Sequence, residues 1–154
     1  MLVLKGLAHF FAYYDIITQK DGVIMNEVLK FIEDCGVYFL ATMDGNKPRV
    51  RPFGTIMLYE NHLYIQTGKV KEVSKQIAKN PNVEISAFKD GRWIRVSGNL
   101  KRDERVEVKK AMLDKYPNLR GMYDENDANT ELLYFEDGVA TISSFTDKPI
   151  VIKL

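Results

Sequence analysis

A chain of 154 residues with 45% hydrophobic side chains can bury one core, and it is too apolar for a disordered or collagen-like protein. Its formal charge of +1 supplies no field for non-specific nucleic-acid binding, and no apolar run is long enough to cross a bilayer. The single cysteine, Cys35, excludes an internal disulfide framework and agrees with a reducing, cytoplasmic setting.

The first residues, MLVLKGLAHFFAYY, place Lys5 ahead of a short apolar stretch, as a signal peptide would. No small-residue cleavage site follows; Asp15, Gln19, Lys20 and Asp21 come next. Residues 1–24 are therefore read as an amphipathic extension packed on the body, and residues 25–154 as the domain. Asn26 is a suitable N-cap, and Val28, Leu29, Phe31, Ile32 and Cys35 recur at helical spacing until Gly36. Cys35 lies on that apolar stripe, which makes it a small core residue before a reactive thiol.

Val37–Thr42 is a continuous β-rich run, and Asp44-Gly45-Asn46 signals a hairpin. The return strand, Pro48 to Tyr59, contains two prolines, so part of it lies at an edge or a bulge. Alternation puts Arg49, Arg51 and Phe53 on one face and Val50 and Pro52 on the other. A turn at Glu60-Asn61 leads to the strand His62–Thr67, which passes through Gly68 into a helix with Val70, Val73 and Ile77 inward. A helix start offers unpaired N–H groups, and with Lys69 and Lys71 beside it this turn suits a phosphate. A solvated, lysine-rich helix end explains the same residues. Asn80-Pro81 ends the helix.

Val83, Ile85 and Ala87 alternate along the next strand, and Lys89-Asp90-Gly91 turns into Arg92–Gly98. There Ile94 and Val96 face one side, and Trp93, Arg95 and Ser97 the other. Asp103 is expected to cap a helix with apolar positions Val106, Ala111, Met112 and Leu113, ending before Pro117. Asn118 to Thr130 reads as a surface loop. Its Asp124, Glu125 and Asp127 lack the glycine and the terminal glutamate of a calcium loop. Leu132–Phe135, Val139–Ser144 and Ile150–Leu154 supply the last strands, so the body is an antiparallel meander with an inserted helix.

No Ser/His/Asp order, HExxH motif or glycine-rich nucleotide loop is present, and His9 and His62 stand in no metal-ligand spacing. No carboxylate pair suits acid–base work. If the protein is an enzyme, a bound cofactor carries the reaction.

The runs VYFLATMDGNKPRVRPFG, LYIQTGKVKEVSKQIAKNPNVEIS and RWIRVSGNL, in that order, resemble the pyridoxamine 5′-phosphate oxidase-like proteins. The likeness covers residues 25–154. It implies a mainly β, α+β-class fold, a six-stranded antiparallel Greek-key split barrel with flanking helices. It also implies a homodimer with FMN at the subunit interface. Position by position, the resemblance gives Arg51, Pro52, Phe53 and Gly54 to the strand lining the flavin, and Gln66 and Thr67 to the next strand's contacts. Lys69 and Lys71 stand at the phosphate, and Trp93 approaches the ring. The family's oxidases typically carry Ser-Arg-Lys at the phosphate turn where this chain has Lys-Val-Lys, and the C-terminal Arg/His substrate segment is missing. Vitamin B6 oxidation is therefore not expected. The ending ELLYF…ISSF is similar to the nitroimidazole-resistance (Nim) branch, whose members often carry histidine at the position of Gln66. The implied function is electron transfer from a small-molecule donor to a nitroaromatic- or quinone-like acceptor. A non-catalytic flavin-binding or flavin-sensing protein, or a barrel binding haem or a deazaflavin, uses the same residues.

Overall fold

A computed structural model describes residues 15–17 and 22–154. The strand β1 (Asp15–Ile17) precedes the helix α1 (Gly22–Cys35). Most of the expected extension lies outside the described residues. The helix begins four residues before Asn26, whose side-chain amide donates to the Gly22 carbonyl one turn back instead of capping. Met25, Val28 and Ile32 form its buried face.

Two hairpins follow, β2 (Tyr38–Asp44) with β3 (Lys47–Phe53), and β4 (Met57–Tyr59) with β5 (His62–Gly68). The expected single strand from Pro48 to Tyr59 thus breaks at residues 54–56. Its first half, β3, pairs only with β2, so Pro48 and Pro52 occupy an edge where a missing N–H costs little. Glu60 and Asn61 both adopt left-handed backbone (φ 47° and 61°), the two-residue turn whose twist matches its strands.

After α2 (Glu72–Lys79) come β6 (Asn82–Lys89), β7 (Arg92–Asp103) and α3 (Val106–Lys115). A short 3-10 helix at Pro117–Gly121, then β8 (Thr130–Ser144) and β9 (Ile150–Lys153), complete the described chain. The sheet runs β1-β9-β8-β7-β6-β2-β3; β5 pairs with the first residues of β8 on the edge that β9 takes farther along, and β4 lies beyond β5. Every pairing is antiparallel except β1 on β9. Six strands of seven residues or more form the body (β2, β3, β5, β6, β7 and β8), and the three short ones extend its edges. This is the mainly β, α+β split barrel with flanking helices.

Three local expectations change. Val70 is 72% exposed because α2 starts at Glu72, leaving Val70 in the turn before it. Asp103 ends β7 and is buried, its carboxylate held by Arg105 and the Tyr64 hydroxyl, while Val108 takes the inward place expected for Val106. Residues 132–135 and 139–144 belong to one strand, because a bulge at Asn99/Leu100 lets β7 accommodate Glu136 as an extra residue of β8. Beside that bulge a side chain at Gly98 would stand 2.2 Å from the Asp137 carbonyl oxygen, so the two backbones meet as only glycine allows.

Apolar side chains gather in two clusters. The larger fills the barrel beneath α1 and includes Leu40, Ile65, Ile85, Ile94, Val96 and Phe135. The smaller lies under α3 and joins Met57, Tyr64, Val108, Met112 and Leu132. β5 contributes Ile65 to one and Tyr64 to the other, so alternation buries it on both faces. Polar residues that continue this strand are therefore carried into a dry environment.

Candidate functional site

A cleft of about 260 Å³ opens where β3 ends, β5 meets α2 and the segment after the 3-10 helix crosses. Its walls are Arg51, Pro52, Phe53, Gly54 and Thr55, then Gln66 and Thr67, then Lys71 and Val73, closed by Leu119, Met122 and Tyr123. The break after Phe53 creates this space, because the chain leaves the sheet there and returns only at Met57.

Arg51 is held in place from two sides. Its Nη1 donates to the Leu40 carbonyl (3.1 Å) and to Thr42 Oγ1 (2.7 Å), and its Nη2 donates to Gln76 Oε1 (2.7 Å). Thr42 in turn donates to the same Gln76 oxygen, so strand β2 and helix α2 jointly fix the guanidinium. Burial, and then the neighbouring Arg49 charge, lowers its pKa, yet arginine stays a cation throughout the range in which proteins fold.

Gln66 and Thr67 show the opposite condition. Gln66 is 5% exposed, and among the described residues neither its Nε2 nor its Oε1 has a hydrogen-bond partner; Thr67 Oγ1 is buried and equally unpaired. An orphaned buried polar group costs about 1–3 kcal/mol. Here three such atoms belong to residues lining one cleft, an arrangement that stores donors and acceptors for an incoming molecule.

The turn between β5 and α2 differs from its expected form. The Lys69 N–H donates to the Asn129 carbonyl (2.8 Å) and the Val70 N–H to Asn129 Oδ1 (3.1 Å), so these first two donors are already occupied. Lys71 N–H bonds back to Gly68. The N–H groups of Glu72 and Val73, at the start of α2, have no acceptor among the described residues. Lys69 points to Glu104 (2.9 Å) and does not line the cleft, whereas Lys71 does, its ammonium 5.8 Å from the centre of the Tyr123 ring.

Of the residues expected at the site, Arg51, Pro52, Phe53, Gly54, Gln66, Thr67 and Lys71 share this cleft. Lys69 turns away from it. Trp93 lies on β7, opposite Phe88 and 5.1 Å from the Phe145 ring, and does not line the cleft of its own chain. Leu119, Met122, Tyr123 and Asn129 went unrecognised in the sequence. They come from a polar stretch without periodicity, where the aromatic Tyr123 was the one available signal. Among the described residues no group of three potential ligands could hold a metal ion, and no helix is long and apolar enough to cross a membrane.

Comparison with known proteins places this geometry. A family model described as pyridoxamine 5′-phosphate oxidase matches residues 24–136. A NimC/NimA family protein from Clostridium acetobutylicum is 42% identical, with a TM-score of 0.81 over 84% of this chain and 92% of its own. A pyridoxamine 5′-phosphate oxidase-related, FMN-binding protein from Nostoc punctiforme shares the fold at 16% identity (TM-score 0.61, 86% of this chain and 87% of its own). A haem-binding protein from Mycobacterium smegmatis does so at 12% identity (TM-score 0.61), over 77% of this chain and 52% of its own. No curated protein sequence matches. The chain belongs to the pyridoxamine 5′-phosphate oxidase-like split-barrel family, within its NimC/NimA-type branch.

Proposed function

We propose that this protein binds FMN in the cleft and passes electrons from a reduced small-molecule donor to an electrophilic acceptor of nitroaromatic or quinone type, in the cytosol. The observation that carries this reading is the unpaired, buried amide of Gln66 beside the unpaired hydroxyl of Thr67. Together they offer both donor and acceptor to a planar edge of mixed polarity, as a flavin presents. Arg51 and Lys71 supply two positive charges to the same space, and Phe53 and Pro52 supply apolar wall. The residues present therefore fit the cofactor.

Bound flavin would supply the redox chemistry. The chain's own residues bind and orient. Lys71, with the free N–H groups of Glu72 and Val73 behind it, suits the phosphate, and Arg51 suits an anionic or carbonyl oxygen farther along the cleft. Among the described residues lining the cleft there is no carboxylate, histidine or cysteine, so no side chain is placed to act as a general acid of ordinary strength. The same fact suits a protein that stores or senses flavin without turnover. Steady-state oxidation of a nicotinamide with a nitroaromatic or quinone acceptor separates the two.

A second copy of the chain completes the site in this reading. Phe39 pairs with Pro52 and Ala41 with Val50, so the outer sheet face carries Phe39, Val50 and Pro52 together. Phe88 and Trp93, cross-strand partners farther along the sheet, lie on the same face. Phe39, Val50 and Phe88 are all more than half exposed. Pro52 also lines the cleft, so the apolar face and the cleft are continuous. A two-fold partner seated there would cover the ring and bring its own Trp93 near it, which gives a role to an indole that does not line the cleft of its own chain.

The test is spectroscopic. The purified protein is expected to be yellow, or to acquire a bound-flavin spectrum when mixed with FMN; a colourless protein that takes up none overturns the reading. Replacing Lys71 with alanine should weaken FMN binding by about 1.5–3 kcal/mol, the worth of a charge-assisted contact. Lys69→Ala, which breaks only an exposed pair with Glu104, should leave binding within about twofold.

A further inference from the structure

Asn129 does not line the cleft, yet it holds the turn before α2 through both its backbone and its side chain. Its backbone carbonyl takes the Lys69 N–H, and its side-chain oxygen takes the Val70 N–H. Its amide group packs so closely on Gly68 that a side chain there would stand 3.0 Å from both Asn129 terminal atoms. Asn129 is itself anchored, because its N–H donates to Asp127 Oδ1 (2.9 Å), which also receives the Thr130 N–H. The second carboxylate oxygen of Asp127 receives the Asp124 N–H, next to the cleft residue Tyr123. Hydrogen bonds to these backbone groups hold the Asp127 carboxyl below its ordinary pKa against the opposing effect of burial, so it accepts as a full anion.

Resting on the flavin reading above, we propose that Asn129 is a positioning residue for the cofactor's phosphate. The segment 69–73 carries five N–H donors, of which that of Lys71 bonds back to Gly68. Asn129 consumes the first two, and the donors left over are those of Glu72 and Val73, which flank or follow the cleft residue Lys71. Lys71 follows directly after the two tethered residues, so its backbone direction is set by the same clamp. The loop that carries Asn129 also carries Met122 and Tyr123, two walls of the cleft. One braced segment thereby fixes the far wall and the anion-binding turn relative to each other.

The experiment compares FMN with riboflavin, which has the same ring and ribityl chain but no phosphate, on the full chain. Wild-type protein is expected to prefer FMN clearly. Asn129→Ala should weaken FMN at least tenfold, leave riboflavin within about twofold, and leave the ligand-free melting temperature within a few degrees. Asn129→Leu, which keeps the volume packed on Gly68 and removes the acceptor of the Val70 N–H, should give the same selective loss and serves if the alanine variant does not fold. Equal losses of FMN and riboflavin, or unchanged affinity for both, overturn the proposal. A wild type that binds neither flavin overturns the underlying reading instead.

Discussion

Gln66 carries an unusual energetic condition for one residue. Its neighbours on β5 are satisfied core side chains, Leu63, Tyr64 and Ile65, and an amide continues the run with both polar atoms unpaired. Replacing it with leucine keeps the volume and removes the unmet hydrogen bonds. Gln66→Leu should therefore stabilise the ligand-free protein by about 1–2 kcal/mol in urea unfolding while weakening FMN at least tenfold. A variant that unfolds more readily and still binds FMN would show that the amide works for the fold. Lys71 was legible in the sequence from the strand-to-helix turn, whereas Gln66 and Arg51 were assigned to the site by the family resemblance of their strands, alternation giving Arg51 only its face. The direction of Lys69 was not legible, since it depends on Glu104, 35 residues away and beyond any local pattern.

At the scale of elements, periodicity found the helices and most strands but split β8, the longest, and ran β3 and β4 together; errors fell where tertiary contacts override local signals. α1 extends past its apparent cap because Met25 is buried against the barrel. β8 runs through Glu136-Asp137-Gly138, a sequence that reads as a break, because the bulge in its pairing with β7 absorbs the extra residue. Gly98 is the pivot of that arrangement. Gly98→Ala should cost about 3 kcal/mol in urea unfolding, since its new methyl meets backbone atoms of Asp137 and Gly138 that cannot rotate away. Gly138→Ala should cost less, because its nearest contact is the flexible Leu154 side chain at 3.0 Å. Equal costs at the two positions would mean that the bulge itself shifts to make room.

For the whole molecule, one sheet face cannot be explained by the barrel's own packing. Phe39, Val50 and Phe88 stand on its outside, next to the edge that borders the cleft. Light scattering is expected to find a dimer, and Phe39→Arg to convert it to a monomer with an unchanged circular dichroism spectrum and a weaker hold on FMN. A monomeric wild type with FMN bound would remove the second copy from the site. Composition could not have revealed this surface: its aromatic residues are indistinguishable from core residues until register assigns them a face.

The placement of β8 has a consequence for how the protein is made. β5, the back wall of the cleft, has only short β4 on one edge and depends on β8 for the other. β8 also pairs with the full length of β7, and it is translated after every strand from β2 to β7. A nascent chain on the ribosome therefore carries two unsatisfied strand edges, on either side of a gap the width of one strand, until residues 130–144 emerge. No cofactor can template that early stage, because the residues that would bind it have no fixed wall to stand on. A molecule bound in the cleft would have to wait until β8 has paired with both β5 and β7, and until then the two open edges are exposed to wrong partners.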